Sequence, residues 1–341
     1  MASRSAARTL TSALLVAALA FLTACAGTGT TEPRTTTGTS GARFTLGFSA
    51  WPGWFPWQVA AEQGLFAKHG IDVDLRYFDS YTDSINALAA GVIDGNSQTL
   101  NDTLGSVSGG ARLAVVLVND NSTGNDKIIA RDGINDIAGL RGRKVAVEQG
   151  AVDHYLLQLA LAESGMTDKD VELAPMLTDA AAAAFVAGQV DAVAAFAPFT
   201  SQALQRPGSR AIATSAEFPG AIPDHLVVSA AVRDTRPDDV QALVDTWFDT
   251  LRWIKANPEP AVEIMAKRAG VSTADYRTYD NGTTIFTRQQ NIEAFTTGTT
   301  PAHLNYQAAK IADFVVGSGL TDSRPAVEGL FDPRFVNATP E

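Results

Sequence analysis

The sequence predicts an α/β fold in which mainly parallel sheet is flanked by helices. Three observations carry this. Segments of period-two hydrophobicity alternate with segments of helical period along the chain. Leu113-Ala114-Val115-Val116-Leu117-Val118 is an unbroken apolar run, as expected of a strand covered on both faces. From Cys25 onward the chain has slightly more than about 300 residues, enough for roughly two domains. Strands that alternate with helices pair in parallel and carry helices on both sheet faces.

The elements follow in order. Residues 44–48 alternate as a strand and run into Trp51-Pro52-Gly53-Trp54-Phe55-Pro56-Trp57, an aromatic turn. Pro56 suits the first position of a helix reaching Gly64, with Trp57 in the core. Residues 71–77 read as a strand and 84–90 as a helix stopped by Gly91. Val92-Ile93, 144–147, 191–196 and 226–228 are further strands; 153–164 and the alanine-rich 180–187 are helices. Pro237 and Pro258 open helices that run to about Ala256 and Ala269. Ligands in such sheets bind beyond the carboxyl ends of the strands. The loops so marked begin near Ser49, Asp79, Gln98, Asn119, Gln149, Ala197 and Asp224.

The chain opens with an export signal: Arg4 and Arg8, an apolar charge-free run over 10–22, then Leu22-Thr23-Ala24-Cys25. That run is shorter than the ~20 residues a spanning helix needs. The Leu-x-Ala-Cys ending resembles the bacterial lipobox, which implies a signal peptide over 1–24 and a lipid on Cys25. Cys25 is the only cysteine, so no internal disulfide can form. Residues 25–42, rich in Thr and Gly, read as a flexible tether. The net charge of −11 becomes −13 once Arg4 and Arg8 are removed, which argues against nucleic acid as a partner.

Four motifs in order resemble the solute-binding proteins of bacterial ABC importers, in the branch that binds nitrate, taurine, aliphatic sulfonates and thiamine precursors. They are 60–73 (AAEQGLFAKHGIDV), 86–94 (NALAAGVID), 137–147 (IAGLRGRKVAV) and 187–192 (AGQVDA) followed by Ala197-Pro198. The resemblance implies a two-lobed periplasmic-binding-protein-like fold of type II with the ligand cleft between lobes. One lobe is expected from 43–132 plus 228–335, the other from 133–227. It further implies an extracytoplasmic, membrane-anchored lipoprotein, a monomer, that passes a small-molecule ligand to an ABC permease and its ATPase. A pyrimidine-binding protein or a tethered ligand sensor would use the same fold.

Candidate ligand contacts come from the marked loops. Trp51 and Trp54 offer faces to a planar or cationic ligand. Gln98 and Asn101 follow the expected strand Val92-Ile93, and Asp120 follows the apolar run. Gly150, Asp153 and His154 lie at a junction where the resemblance implies a helix N-terminus facing the ligand; His154 reads more readily as a structural histidine than as a ligand contact. Phe199 follows Ala197-Pro198, and Asp224 precedes the strand that returns to the first lobe. The loops hold Asp102, Asp120, Asp126, Asp153 and Asp224, with no Arg or Lys assigned to the cleft. Oxyanion sites recruit cations, so this pattern disfavours nitrate. It suits an amine, a guanidinium, a zwitterion such as taurine, or a neutral pyrimidine-like solute. No GxSxG, P-loop or HExxH is present, and His69, His154, His225 and His303 are scattered. The expectation is binding without catalysis, cofactor or metal.

Overall fold

The computed structural model describes residues 43–340; the expected signal peptide, Cys25 and the tether lie outside them. Among the described residues, strands form two mixed sheets flanked by helices. The first contains β1 (Phe44–Ser49), β2 (Val73–Phe78), β3 (Gly95–Thr99) and β4 (Leu113–Ser122). The second contains β5 (Asp126–Ala130), β6 (Lys144–Val147), β7 (Glu172–Pro175), β8 (Ala192–Phe196) and β9 (Arg210–Thr214). The chain then returns to the first sheet with β10 (Pro223–Ser229) and β11 (Thr283–Ile285). The orders are β11-β4-β10-β3-β1-β2 and β7-β6-β8-β5-β9.

Most strands in each sheet run parallel, and the exceptions position the site. β10 lies antiparallel between β3 and β4, and β5 lies antiparallel between β8 and β9. A reversed strand begins where its parallel neighbours end. Asp224 of β10 therefore sits opposite Thr99 and Asp120, and Asp126 of β5 sits opposite Phe196. Each sheet thus receives one carboxylate at the edge where ligands bind.

Sheet membership gives two crossings between the sheets. The chain passes between them at 123–125 and 215–222. Ile128 and Ile129 pair with Ala194 and Val193 of β8, which fixes β5 in the second sheet, while β10 belongs wholly to the first.

Two expected loops are strands. Asn96-Ser97-Gln98 lies inside β3, whereas Val92, expected in the strand, is 62 % exposed. The polar side chains of β3 satisfy one another: Asn96 Nδ2 donates to Ser84 Oγ at 3.1 Å and to Gln98 Oε1 at 3.1 Å. Likewise Asn119–Ser122 continues β4, because β10 and β11 supply partners along both of its edges. The apolar half of β4 is fully covered, as its sequence demands. Trp57 is core as expected: its ring lies 4.7 Å from that of Trp247, tying helix Pro56–Glu62 to helix Pro237–Ala256.

Candidate functional site

Between the sheets lies a small cavity of about 10 Å³, room for roughly one water molecule. Its walls come from both. The first sheet and its loops supply Trp51, Trp54, Tyr81 and Asp224; the second supplies Asp126 and Phe196. Thr99 and Val152 complete opposite sides. The four rings close on one another: Trp51–Trp54 at 6.4 Å, Trp54–Tyr81 at 5.3 Å, Tyr81–Phe196 at 6.1 Å and Phe196–Trp51 at 6.4 Å between centroids.

The aromatic turn after β1 is held by Asp120. Trp51 Nε1 donates to Asp120 Oδ1 at 2.8 Å. A side chain at Gly53 would meet the same carboxyl at 1.9 Å, so only glycine lets this turn approach β4. Asp120 thus acts behind Trp51, outside the cavity wall. Burial pushes its carboxyl well above the usual range, against the Trp51 bond, with Asp126 adding to the rise.

The other carboxylates form a buried group. Burial drives Asp126 and Asp102 each up to about 7, Ser122 and Thr99 respectively moderating the rise by donating to them. Burial likewise raises Asp224 well above its ordinary value, and Asp120, Asp126 and Asp102 push in the same direction. Asp153 is raised by burial and by Asp126. Three oxygens in this group, Asp120 Oδ2, Asp153 Oδ1 and Asp224 Oδ2, have no hydrogen-bond partner, nor does Trp54 Nε1. Unpaired buried polar atoms are costly, by roughly 1–3 kcal/mol each. Burial pushes His225, beside Asp224, down to about 3, so it is neutral at physiological pH.

Bonds between the two sheets shut the cleft. Glu148, after β6, accepts from Thr82 Oγ1 and from Thr178 Oγ1 at 2.6 Å. Helix Val152–Glu163 turns its first backbone N–H toward Asp102 on the facing lobe. Replacing Glu148 by alanine strands both threonines and should cost roughly 2–4 kcal/mol. Thermal melting reads this; an unchanged melting temperature would remove the latch.

The sequence-marked residues divide. Trp51, Trp54 and Asp224 line the cavity. Gln98 does not: its amide is spent on Asn96 and on Thr103 Oγ1 at 2.9 Å. Asn101 Nδ2 donates to Asp102 Oδ1 at 2.8 Å, outside the cavity wall. Gly150 is exposed and donates to His154 Nδ1, while His154 Nε2 pairs with Asp168 at 2.9 Å. Both ring nitrogens are therefore occupied within the protein, and His154 is structural. Asp153 accepts from Thr178 Oγ1 behind the helix start. Phe199 packs behind Phe196, 5.5 Å away, and Phe196 is the ring that reaches the cavity. Tyr81 and Asp126 were not singled out as contacts, although both stand beside marked loops, near Asp79 and Asn119.

Among the described residues, no three His, Cys, Asp or Glu side chains converge as metal ligands would, and no helix is long and apolar enough to cross a membrane.

Two sheet-based lobes that both wall one cavity define a two-lobed solute-binding fold. The chain belongs to the NMT1-like family, whose model matches residues 38–269. It is 27 % identical over 252 residues to the taurine-binding periplasmic protein of Escherichia coli K12, covering 71 % of this chain and 78 % of that one. It is 30 % identical over 227 residues to a candidate binding protein of Brucella abortus (strain 2308), covering 64 % and 69 %. Its fold matches the alkanesulfonate-binding protein SsuA of Xanthomonas axonopodis pv. citri, solved bound to MOPS. The TM-score is 0.74 at 20 % identity, over 86 % of this chain and 99 % of that one.

Proposed function

We propose that this protein is the extracytoplasmic solute-binding lipoprotein of an ABC importer. It captures a small sulfur- or nitrogen-containing organic solute and delivers it, unaltered, to a membrane permease. The observation that carries this is the cavity walled by both lobes, with Glu148 accepting from Thr82 across the cleft. The taurine- and alkanesulfonate-binding relatives support the same class of role. The lobes are 43–122 with 223–335, and 126–214, and the connections at 123–125 and 215–222 form the hinge. Trp51, Trp54 and Asp224 contact the solute.

Deleting the gene should abolish uptake of the solute that the purified protein binds by calorimetry; uptake that persists unchanged would overturn the importer role. The anchor is tested separately. Cys25→Ser should release the protein from membranes and leave its solute affinity unchanged, read by fractionation and calorimetry. A variant still held at the membrane would refute lipidation at Cys25.

A further inference from the structure

We infer that the cavity takes an organic cation bearing N–H donors, an alkylammonium, amidinium or guanidinium group on a small skeleton, and not a sulfonate. This deepens the solute-binding reading and rests on it.

Two independent observations point to a cation. The first is the closed ring of Trp51, Trp54, Tyr81 and Phe196 around one cavity. Aromatic faces arranged as a box attract positive charge through their quadrupoles. The second is the hydrogen-bond inventory. Asp224 lines the cavity, is buried, and leaves Oδ2 outside hydrogen-bond geometry; the unpaired Trp54 indole N–H on the same wall lowers its carboxyl against the rise from burial, and Asp126 lines the cavity beside Phe196. An ammonium or guanidinium brings N–H donors to these carboxyls and favours their ionised forms, which a quaternary ammonium cannot do through hydrogen bonds.

An anion is disfavoured on three counts. No Lys, Arg or His lines the cavity. The nearby helix N-terminus at Val152, the usual device for holding a sulfonate or carboxylate, already faces Asp102. Lys127 follows Asp126 but turns its Nζ to the Gly124 carbonyl. A bare metal ion is disfavoured as well, since no three ligating side chains converge among the described residues and the walls are largely aromatic.

The test is calorimetry and thermal melting of the purified protein with benzylammonium and agmatine. Benzenesulfonate serves as the matched anion and taurine as the zwitterion, each at millimolar concentration. At least one cation should saturate and raise the melting temperature, with no response to benzenesulfonate. Asp224→Asn should weaken that cation at least tenfold, and Asp126→Asn serves if the first variant does not fold. Saturation by sulfonates but not cations overturns the inference, and so does the lack of saturation by either cation. Equal weakening of cation and sulfonate in Asp224→Asn also overturns it. Binding of a sulfonate that the cell takes up through this protein would leave the importer reading standing. Binding of a cation whose uptake is independent of the protein would leave the charge assignment standing and sink the importer.

Discussion

An Asp224→Asn variant should be more stable than the parent protein at pH 7, and the gain should vanish near pH 4. The reason is proton linkage. Burial and the neighbouring carboxylates hold Asp224 well above its ordinary value of 3.8 in the folded protein. Above about pH 4 the unfolded chain gives up this proton more readily than the folded chain, so the site destabilises the fold increasingly as pH rises. Below about pH 4 both states are protonated and the penalty is gone. Asparagine has nearly the same shape and no proton to lose. The gain should grow as pH rises from 4 to 7, by no more than about 1.4 kcal/mol per pH unit. Parallel denaturant titrations at pH 4 and pH 7 measure it. Equal stability of the two proteins at pH 7 would show that Asp224 ionises freely and is no stored charge. A residue whose removal stabilises the fold while weakening capture is retained for binding, a common trade-off at functional sites.

The fold was legible where hydrophobic period alone decides structure. The run 113–118 could only be a covered strand, and Pro56, Pro237 and Pro258 mark helix starts that the structure places at those residues. The reading failed where polar residues are buried. Asn96-Ser97-Gln98 carries no apolar signal, yet β10 and β1 pair its backbone and Ser84 and Thr103 pair its side chains. Asn119–Ser122 misled in the same way. Such strands exist only because neighbours distant in sequence satisfy them, and local propensity cannot see those neighbours. The same blindness hides the crossings between the sheets, since β5 is recognisable only from its pairing with β8 and β9. An aromatic turn and a surplus of Asp without Lys or Arg were visible from composition, and both line or support the cavity. Sequence alone could not tell that the reversed strands β5 and β10 bring Asp126 and Asp224 to one edge, or that Gln98 and His154 are consumed internally.

Cation capture should tighten as pH rises from about 5 to 8 and should expel protons from the site. Asp102 and Asp126 both sit at about 7 because burial penalises their charge. Asp120, Asp153 and Asp224 are raised well above their ordinary value for the same cause. Glu148 stands beside them. The cationic groups nearby oppose this little: burial lowers the Lys127 ammonium, and His225, at about 3, stays neutral across the range. A bound ammonium or guanidinium supplies the positive charge these carboxyls lack and favours their ionised forms, so their pKa values fall and protons leave. For one proton released, affinity rises by up to about tenfold per pH unit below the site's free-state value and levels off above it. Calorimetry in phosphate and in Tris at one pH measures the release directly, because the two buffers take up the proton with different heats. A sulfonate at the same carboxyls would demand their protonation, so its affinity would rise as pH falls and binding would take protons up. The sign of the buffer-dependent heat therefore decides the charge of the ligand group inside the aromatic box, whichever solute the cell provides.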